Sequence, residues 1–135
     1  MENGKHMSSL DLAREAVKIL IESKAQDVAL FDVTLSSSVT DYYINVTARS
    51  ATHVLALSDE LTEKISENFG INESRTEGRD GRSWILVDYI DVVVNIFDRQ
   101  SREFYNFDRL LPDGHAVDIS DLYDEVDKKL GIAGE

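Results

Sequence analysis

Two carboxylates that flank a short turn, Asp88 and Asp91, are the strongest candidates in this chain for metal-assisted chemistry. Acidic side chains of this kind hold Mg²⁺ during nucleotidyl transfer, together with oxygens of the substrate. That reaction also needs a glycine-serine loop near the phosphates, and the serine run at 36–38 has no adjacent glycine. A divalent-metal nucleotidyltransferase with Asp88 and Asp91 as metal ligands is therefore the alternative hypothesis, not the leading one.

The other reactive residue types offer little further chemistry. Cysteine is absent, which removes disulfides, thiolate metal sites and thiol nucleophiles. The three histidines, at positions 6, 53 and 115, lack metal-ligand spacing. Gly78 and Gly81 lie among arginines and could cradle a phosphate, but a charged hairpin turn is the simpler interpretation. We therefore predict no catalytic residue, no metal and no cofactor, and we expect that the protein is not an enzyme.

The segment 83–97 predicts two antiparallel strands whose faces differ in chemistry. If Asp88 pairs with Asp91 across a tight turn at Tyr89 and Ile90, alternation places only aliphatic side chains on one face: Ile85, Val87, Val92, Val94 and Ile96. The opposite face, here called the tryptophan face, carries Trp84, Leu86, Asp88, Asp91, Val93, Asn95 and Phe97. The aliphatic face is expected to be core. The tryptophan face mixes large apolar groups with carboxylates and is expected to contact a partner.

The net charge of -12 argues against nucleic acid as the main partner, because lysine and arginine supply most non-specific affinity for phosphates. A basic protein surface is the more natural partner for such a chain. No apolar run approaches the ~20 residues of a membrane-spanning helix, and the start of the chain lacks a secretion or import pattern. We expect a cytoplasmic protein that contacts neither a membrane nor a specific nucleic-acid sequence.

Hydrophobic periodicity predicts an α/β protein of the two-layer α+β type, with helices mainly on one face of a mixed sheet of about five strands. The predicted helices span 10–22, 51–69 and 121–130. The predicted strands span 27–33, 41–47, 71–76 and the two halves of the hairpin, with a further short strand at 103–105 and a helical turn at 106–111.

The length of 135 residues fits one domain. Residues 1–9 are expected to be a flexible N-terminus or residues foreign to the native chain, with Met7 as an alternative start. The domain itself is predicted over 10–112. Residues 113–135, with seven acidic side chains against two lysines, are predicted to be an acidic tail that contains a short helix.

The runs 84–97 and 102–111 carry the most distinctive pattern, Trp-Ile-Leu-Val-Asp-Tyr-Ile-Asp-Val-Val-Val-Asn-Ile-Phe and then Arg-Glu-Phe-Tyr-Asn-Phe-Asp-Arg-Leu-Leu. Shorter segments upstream follow in a consistent order and spacing, at 25–28, 31–33, 40–44, 49–50, 53–54 and 77–78. Together these segments resemble the ribosomal silencing factor family, also called RsfS or Iojap. The resemblance covers roughly 10–111, and the ordered set is more specific than any one piece.

The resemblance implies a small α/β domain with a nucleotidyltransferase-like topology and no known catalytic role. It implies a translational repressor that binds the large ribosomal subunit through ribosomal protein L-fourteen and blocks joining of the small subunit when nutrients are scarce. A homodimer through the same sheet face is a further implication, since several members of the family form one.

Under this resemblance the tryptophan face becomes the predicted partner surface, extended along the chain. The predicted contact residues are Trp84, Leu86, Asp88, Tyr89, Asp91, Asn95, Arg102, Tyr105 and Arg109. Aromatic and arginine side chains are frequent energetic anchors, and the carboxylates would meet lysine or arginine of the partner. The chain departs from the family pattern at Ala48, Ile90, Asn95 and Leu111, where glycine, glycine, histidine and tryptophan are usual. Ile90 matters most, because a type I′ turn needs positive φ, which a β-branched residue resists.

Overall fold

The computed structural model describes residues 7–110 and 115–131, so His6, Leu111 and the predicted domain boundary at residue 112 lie outside it. Within these ranges the chain is an α+β domain with one mixed sheet. The helices are α1 Ser9–Glu22, α2 Ala51–Phe69, α3 Arg99–Tyr105 and α4 Ser120–Leu130, with a 3-10 helix at Phe107–Leu110. The strands are β1 Gln26–Asp32, β2 Tyr42–Ala48, β3 Arg75–Glu77, β4 Trp84–Asp88, β5 Val92–Asp98 and β6 Ala116–Val117.

The six strands lie in the order β3-β4-β5-β2-β1-β6, one more than the sequence predicts. β2 and β5 run parallel at the centre, and the neighbouring pairs on either side are antiparallel. A parallel pair needs a long crossover, which α2 and the β3–β4 hairpin provide. The mixed sheet of the prediction is therefore confirmed, and β6 is the strand that the prediction missed.

Serine caps and a glycine fix the ends of the two long helices. The Ser8 hydroxyl accepts from the Asp11 N–H at 3.0 Å, and the Ser50 hydroxyl accepts from the His53 N–H at 3.1 Å. Gly70 ends α2 in the left-handed conformation at φ 68°, where glycine has no Cβ to clash. The predicted helix bounds are confirmed to within a residue.

The core lies between one face of the sheet and helices α1 and α2, with α4 packed on α1. The aliphatic side chains that alternation assigns to the core are all fully buried: Ile85, Val87, Val92, Val94 and Ile96. Burial of each such side chain contributes ~1.5–3 kcal/mol before the entropy of ordering is counted. The hairpin therefore divides into a core face and a tryptophan face, as predicted.

The turn of this hairpin differs from the predicted one by a shift of register. Asp88 pairs with Val93 instead of Asp91, and the Tyr89 N–H donates to the Val92 carbonyl at 2.8 Å. The turn therefore consists of Ile90 and Asp91. Because the pairing shifts by two residues, and alternation has a period of two, the face of each strand residue is unchanged. Tyr89 does change its role, since it now lies on the core side.

The segment 103–105, predicted as a strand, continues α3 instead. Asp98 begins this helix by accepting a hydrogen bond from the Ser101 N–H at 2.8 Å, and a left-handed Asn106 ends it. At the other end of the chain, β6 pairs with β1 and α4 buries Leu122 and Val126. The acidic segment that follows residue 112 thus contributes a strand and a helix to the fold.

Candidate partner-binding surface

The tryptophan face of the sheet carries a stack of aromatic side chains centred on Trp84. Phe97, directly opposite on β5, has its ring centroid 4.9 Å from that of Trp84. Two rings come from outside the sheet, with the Tyr105 centroid at 4.8 Å and the Phe107 centroid at 6.2 Å. Helix α3 and the 3-10 helix therefore lie across part of this face, and Trp84 remains half-buried at their edge.

A chain of side-chain hydrogen bonds runs from Trp84 into the sheet. The Trp84 Nε1–H donates to Asn95 Oδ1 at 3.0 Å, and Asn95 Nδ2 donates to Asn45 Oδ1 at 3.0 Å. Asn45 Nδ2 then donates to Asp108 Oδ1 at 2.8 Å. Both amides are fully buried, so each bond satisfies a group that water cannot reach. We call this chain of four residues the polar relay.

Arg102 closes the far end of the polar relay. Its Nη2 donates to Asp108 Oδ2 at 2.9 Å, while its Nη1 donates to Thr47 Oγ1 at 3.1 Å and to the Asp27 carbonyl at 2.7 Å. Only 16% of this side chain is exposed. Arg102 was predicted to contact a partner, but in the structure its guanidinium ties α3 and the 3-10 helix to β1 and β2.

Aromatic and aliphatic groups remain accessible around Trp84. Tyr105 is 50% exposed, and its neighbour Phe104, which the sequence analysis did not single out, is 79% exposed. The two rings meet edge to face at 5.0 Å. On the opposite side of Trp84, a notch of about 260 Å³ is lined by Glu77, Gly78, Trp84 and Leu86. An apolar side chain of a partner fits such a notch.

Gly78 allows the loop before β4 to lie directly against the Trp84 backbone. Its φ of 92° is one that other residues rarely adopt, and a Cβ there would overlap the Trp84 carbonyl oxygen. Gly81, in the same loop, has open space around it. The glycine of the predicted Glu77-Gly78 pair therefore lets the preceding loop lie against the Trp84 backbone.

The two carboxylates of the metal-site hypothesis have separate surroundings. Asp88 Oδ2 accepts from Arg75 Nε at 3.1 Å, and Asp88 Oδ1 accepts from the Ile90 N–H at 2.7 Å. Asp91 lies exposed in the turn, outside the strand. No three histidine or acidic side chains in 7–110 and 115–131 converge on a point that could hold a metal ion. This geometry lends no support to a shared Mg²⁺ site at Asp88 and Asp91.

Two more predicted contact residues occupy buried positions. Tyr89 is 7% exposed and packs in the core, where burial raises the pKa of its phenol. It is not on the tryptophan face, because the turn begins one residue later than predicted. Asn95 is on that face but only 1% exposed, beneath Trp84. Of the predicted set, the structure leaves seven residues partly or fully accessible: Trp84, Leu86, Asp88, Asp91, Arg102, Tyr105 and Arg109.

The residues that sequence analysis missed are those that join distant segments. Asn45 lies 50 positions before Asn95, and Asp108 lies 63 positions after Asn45. Asn45 is an amide in an otherwise apolar or aromatic part of β2, which was the one available signal of a buried polar contact. Phe107 gave no signal of its own, because its contact with Tyr43 at 5.3 Å depends on the fold.

The accessible aromatic side chains of this α+β domain are of residue types that are enriched at protein interfaces. A sequence profile of the family described as "Ribosomal silencing factor during starvation" matches residues 6–131. Since this match spans most of the chain, the protein belongs to the ribosomal silencing factor family.

Individual relatives agree with this assignment. Ribosomal silencing factor RsfS of Halalkalibacterium halodurans is 31% identical over 113 residues, which are 84% of this chain and 96% of the relative. Protein Iojap, chloroplastic, of Zea mays is 30% identical over 112 residues, covering 82% of this chain and 47% of that protein. The crystal structure of a Chromobacterium violaceum protein superposes with a TM-score of 0.74 at 26% identity, covering 87% of this chain and 99% of the other. No helix in the described part of this chain is long and apolar enough to cross a bilayer.

Proposed function

We propose that this protein is a translational repressor that docks on the large ribosomal subunit and prevents the small subunit from joining. The observation that carries the proposal is the half-buried Trp84, which is stacked between aromatic rings and fixed by a hydrogen bond to Asn95 at 3.0 Å. A large side chain with its orientation fixed in advance loses little conformational entropy on binding. The family description, which names ribosomal silencing during starvation, supports the ribosome as the target.

The partner we propose is ribosomal protein L-fourteen, through a basic and partly apolar surface. The accessible residues of the tryptophan face combine aromatic rings with the carboxylates of Asp88 and Asp91. The net charge of -12 favours approach to a basic protein over approach to phosphates. The proposed contacts are Trp84, Leu86, Asp88, Asp91, Tyr105 and Arg109, with the exposed Phe104 added from the structure. Asn95 and Arg102 support this surface from beneath.

Steric occlusion is the proposed mechanism, and it requires binding alone. A compact domain seated on a surface that the small subunit must reach excludes that subunit by volume. The cytoplasmic address and the nucleotidyltransferase-like topology remain predictions that go with this proposal. For the alternative metal-dependent transferase, the absence of any Mg²⁺-dependent thermal shift with nucleotides would exclude a site at Asp88 and Asp91.

Self-association through the tryptophan face is a further part of the proposal. Exposed rings such as Phe104, 79% accessible, are groups that a second copy can also cover. Both partners would then compete for one surface, so the homodimer would be the form that does not bind the ribosome. Light scattering of the free protein gives its oligomeric state, and co-sedimentation with large subunits above and below the concentration at which it dimerises tests this competition.

The decisive experiment is a subunit-joining assay. Purified large subunits are saturated with the protein, small subunits are added, and complete ribosomes are separated by sedimentation through sucrose. We expect the protein to travel with the large subunit and the amount of complete ribosome to fall. Unchanged ribosome formation at saturating, demonstrably bound protein would rule out occlusion, and failure to travel with large subunits would rule out docking.

A further inference from the structure

Four exposed aliphatic side chains belong to segments that lie at one end of the sheet, and we call these four residues the end patch: Leu10, Leu35, Val39 and Ile90. Hydrogen bonds hold their segments together, since the Asp41 N–H donates to the Asp91 carbonyl at 3.0 Å and Ser9 Oγ donates to Asp41 Oδ2 at 2.8 Å. These four are half of the large hydrophobic side chains that are exposed in the described ranges. Concentration at one end distinguishes them from the scattered exposure that is normal on a protein surface.

Ile90 is the unusual member of the end patch. Its φ is 75°, and the Asp91 N–H donates to the Tyr89 carbonyl at 2.9 Å, which closes a three-residue turn around it. Glycine adopts this backbone conformation readily, whereas a β-branched side chain strains it. The Ile90 side chain is also 61% exposed, so packing within the domain does not compensate. The fold alone would be served better by glycine, so the side chain has its use outside the fold.

The charges around the end patch indicate what kind of partner covers it. Asp41, Asp88 and Asp91 lie at its border, and the whole chain carries a net charge of -12. A nucleic acid would bring further negative charge against these carboxylates. A protein surface with apolar side chains bordered by lysine or arginine has the complementary chemistry.

We propose that the end patch, centred on Ile90, is a second docking surface for a basic protein surface of the large ribosomal subunit. This inference rests on the proposed function and adds a contact area to the tryptophan face. The two areas adjoin at Asp88, whose side chain lies on the tryptophan face and accepts the Ile90 N–H at 2.7 Å. The hairpin therefore carries a central residue of each area, Trp84 and Ile90.

The test compares the effect of Ile90→Gly on affinity with its effect on stability. Labelled protein is titrated with purified large subunits, and the melting temperature of each variant is measured alongside. We expect Ile90→Gly to bind about tenfold more weakly, the loss of one buried aliphatic side chain, with a melting temperature that is unchanged or higher. Val39→Ser, which alters a side chain that is 76% exposed, should weaken binding in the same way. Leu130→Ser, at an exposed leucine of α4, is the matched control and should bind like the wild type.

Each possible result either supports or overturns the proposed second docking surface. Unchanged affinity of Ile90→Gly and Val39→Ser, with the wild type bound, overturns this inference and leaves the proposed function standing. Weaker binding accompanied by a lower melting temperature overturns it as well, because Ile90 would then be structural. An equal loss in Leu130→Ser, or loss of a homodimer with unchanged subunit affinity, would also overturn it. A wild type that does not bind large subunits at all removes the proposed function and this inference together.

Discussion

The indole N–H of Trp84 donates to Oδ1 of Asn95 at 3.0 Å, which joins a half-buried side chain to a fully buried one. This hydrogen bond restrains the rotation of the indole ring about its side-chain bonds. The contact with Phe97, whose ring centroid lies 4.9 Å from that of Trp84, restrains the tilt of the ring. A proposed contact residue that is restrained in both respects gives the surface one defined shape. Removing either restraint should therefore affect binding even where the indole itself is kept.

The first prediction concerns the energetic link between these two residues. Asn95→Leu leaves the buried side-chain oxygen Oδ1 of Asn45 without its donor and should lower the unfolding free energy by about 1–3 kcal/mol. Trp84→Phe removes the indole N–H donor and makes the ring smaller. It should lower the unfolding free energy less in the Asn95→Leu background than in the wild type. Urea unfolding of the four proteins measures this coupling. Strictly additive costs would show that the hydrogen bond contributes nothing to stability.

The second prediction concerns binding through Trp84. Trp84→Ala should weaken association with large subunits by about 30-fold or more, as expected for a central aromatic anchor. The core face of the hairpin remains buried, so a cooperative melting transition should persist. Tyr123→Ala, at an exposed aromatic residue of α4, serves as the control and should bind normally. Normal binding by Trp84→Ala would mean that the partner surface lies elsewhere.

The third prediction concerns Asp108, which receives hydrogen bonds from both Asn45 and Arg102 at 2.8 and 2.9 Å. Asp108→Ala removes both hydrogen bonds, and a charge-assisted hydrogen bond contributes about 1.5–3 kcal/mol to the unfolding free energy. Amide hydrogen exchange in α3 and the 3-10 helix should accelerate about tenfold or more, while β2 and β5 stay protected. Arg109→Ala, at an exposed neighbour, should leave exchange unchanged. Equal acceleration in β2 and β5 would point to global destabilisation instead of local release.

The fourth prediction compares two glycines of one loop. Gly78→Ala places a Cβ against the Trp84 carbonyl oxygen at a φ of 92° and should cost about 2 kcal/mol or more of unfolding free energy. Gly81→Ala meets no atom within 4 Å and should be neutral or slightly stabilising. Chemical unfolding of both variants gives the comparison. Similar stabilities would show that the loop before β4 can shift without disturbing Trp84.

The fifth prediction concerns the stability of the fold at low pH. Arg14 Nη2 donates to Asp121 Oδ2 at 2.6 Å between α1 and α4, and this hydrogen bond holds the pKa of Asp121 below its ordinary value. A carboxyl whose folded pKa is lowered stabilises the fold at neutral pH and loses that contribution as the pH falls through the folded pKa. The melting temperature should therefore fall less steeply in acid for Asp121→Asn than for the wild type. Asp124→Asn, elsewhere on α4, should follow the wild type, and an equal slope for all three proteins would contradict the prediction.

Sequence periodicity predicted those features of the fold that depend only on residues close together in the sequence. The alternation in 84–97 assigned the core face correctly even though the turn register was wrong, because a shift of two preserves the face. Tyr89 was misplaced because its side depended on where the turn begins. The helix at 99–105 was partly read as a strand, since its capping by Asp98 was not recognised.

The support of the candidate surface could not be predicted, because it joins residues that only the fold brings together. No pattern links Asn45, Asn95 and Asp108, which come from β2, β5 and the 3-10 helix. Arg102 illustrates the same difficulty. Its residue type suggested a partner contact, but its three side-chain hydrogen bonds within the domain depend on β1 and β2 lying beneath α3.

The parallel pairing of β2 with β5 also bears on how the chain folds during synthesis. Tyr42 to Ala48 pair with Val92 to Asp98, so the centre of the sheet forms only after the chain has been synthesised through Asp98. Until then one edge of β2 lacks its partner strand, and non-local pairing of this kind is slow. The tryptophan face, whose strands β4 and β5 lie on that side of β2, is therefore completed late in the folding of this domain.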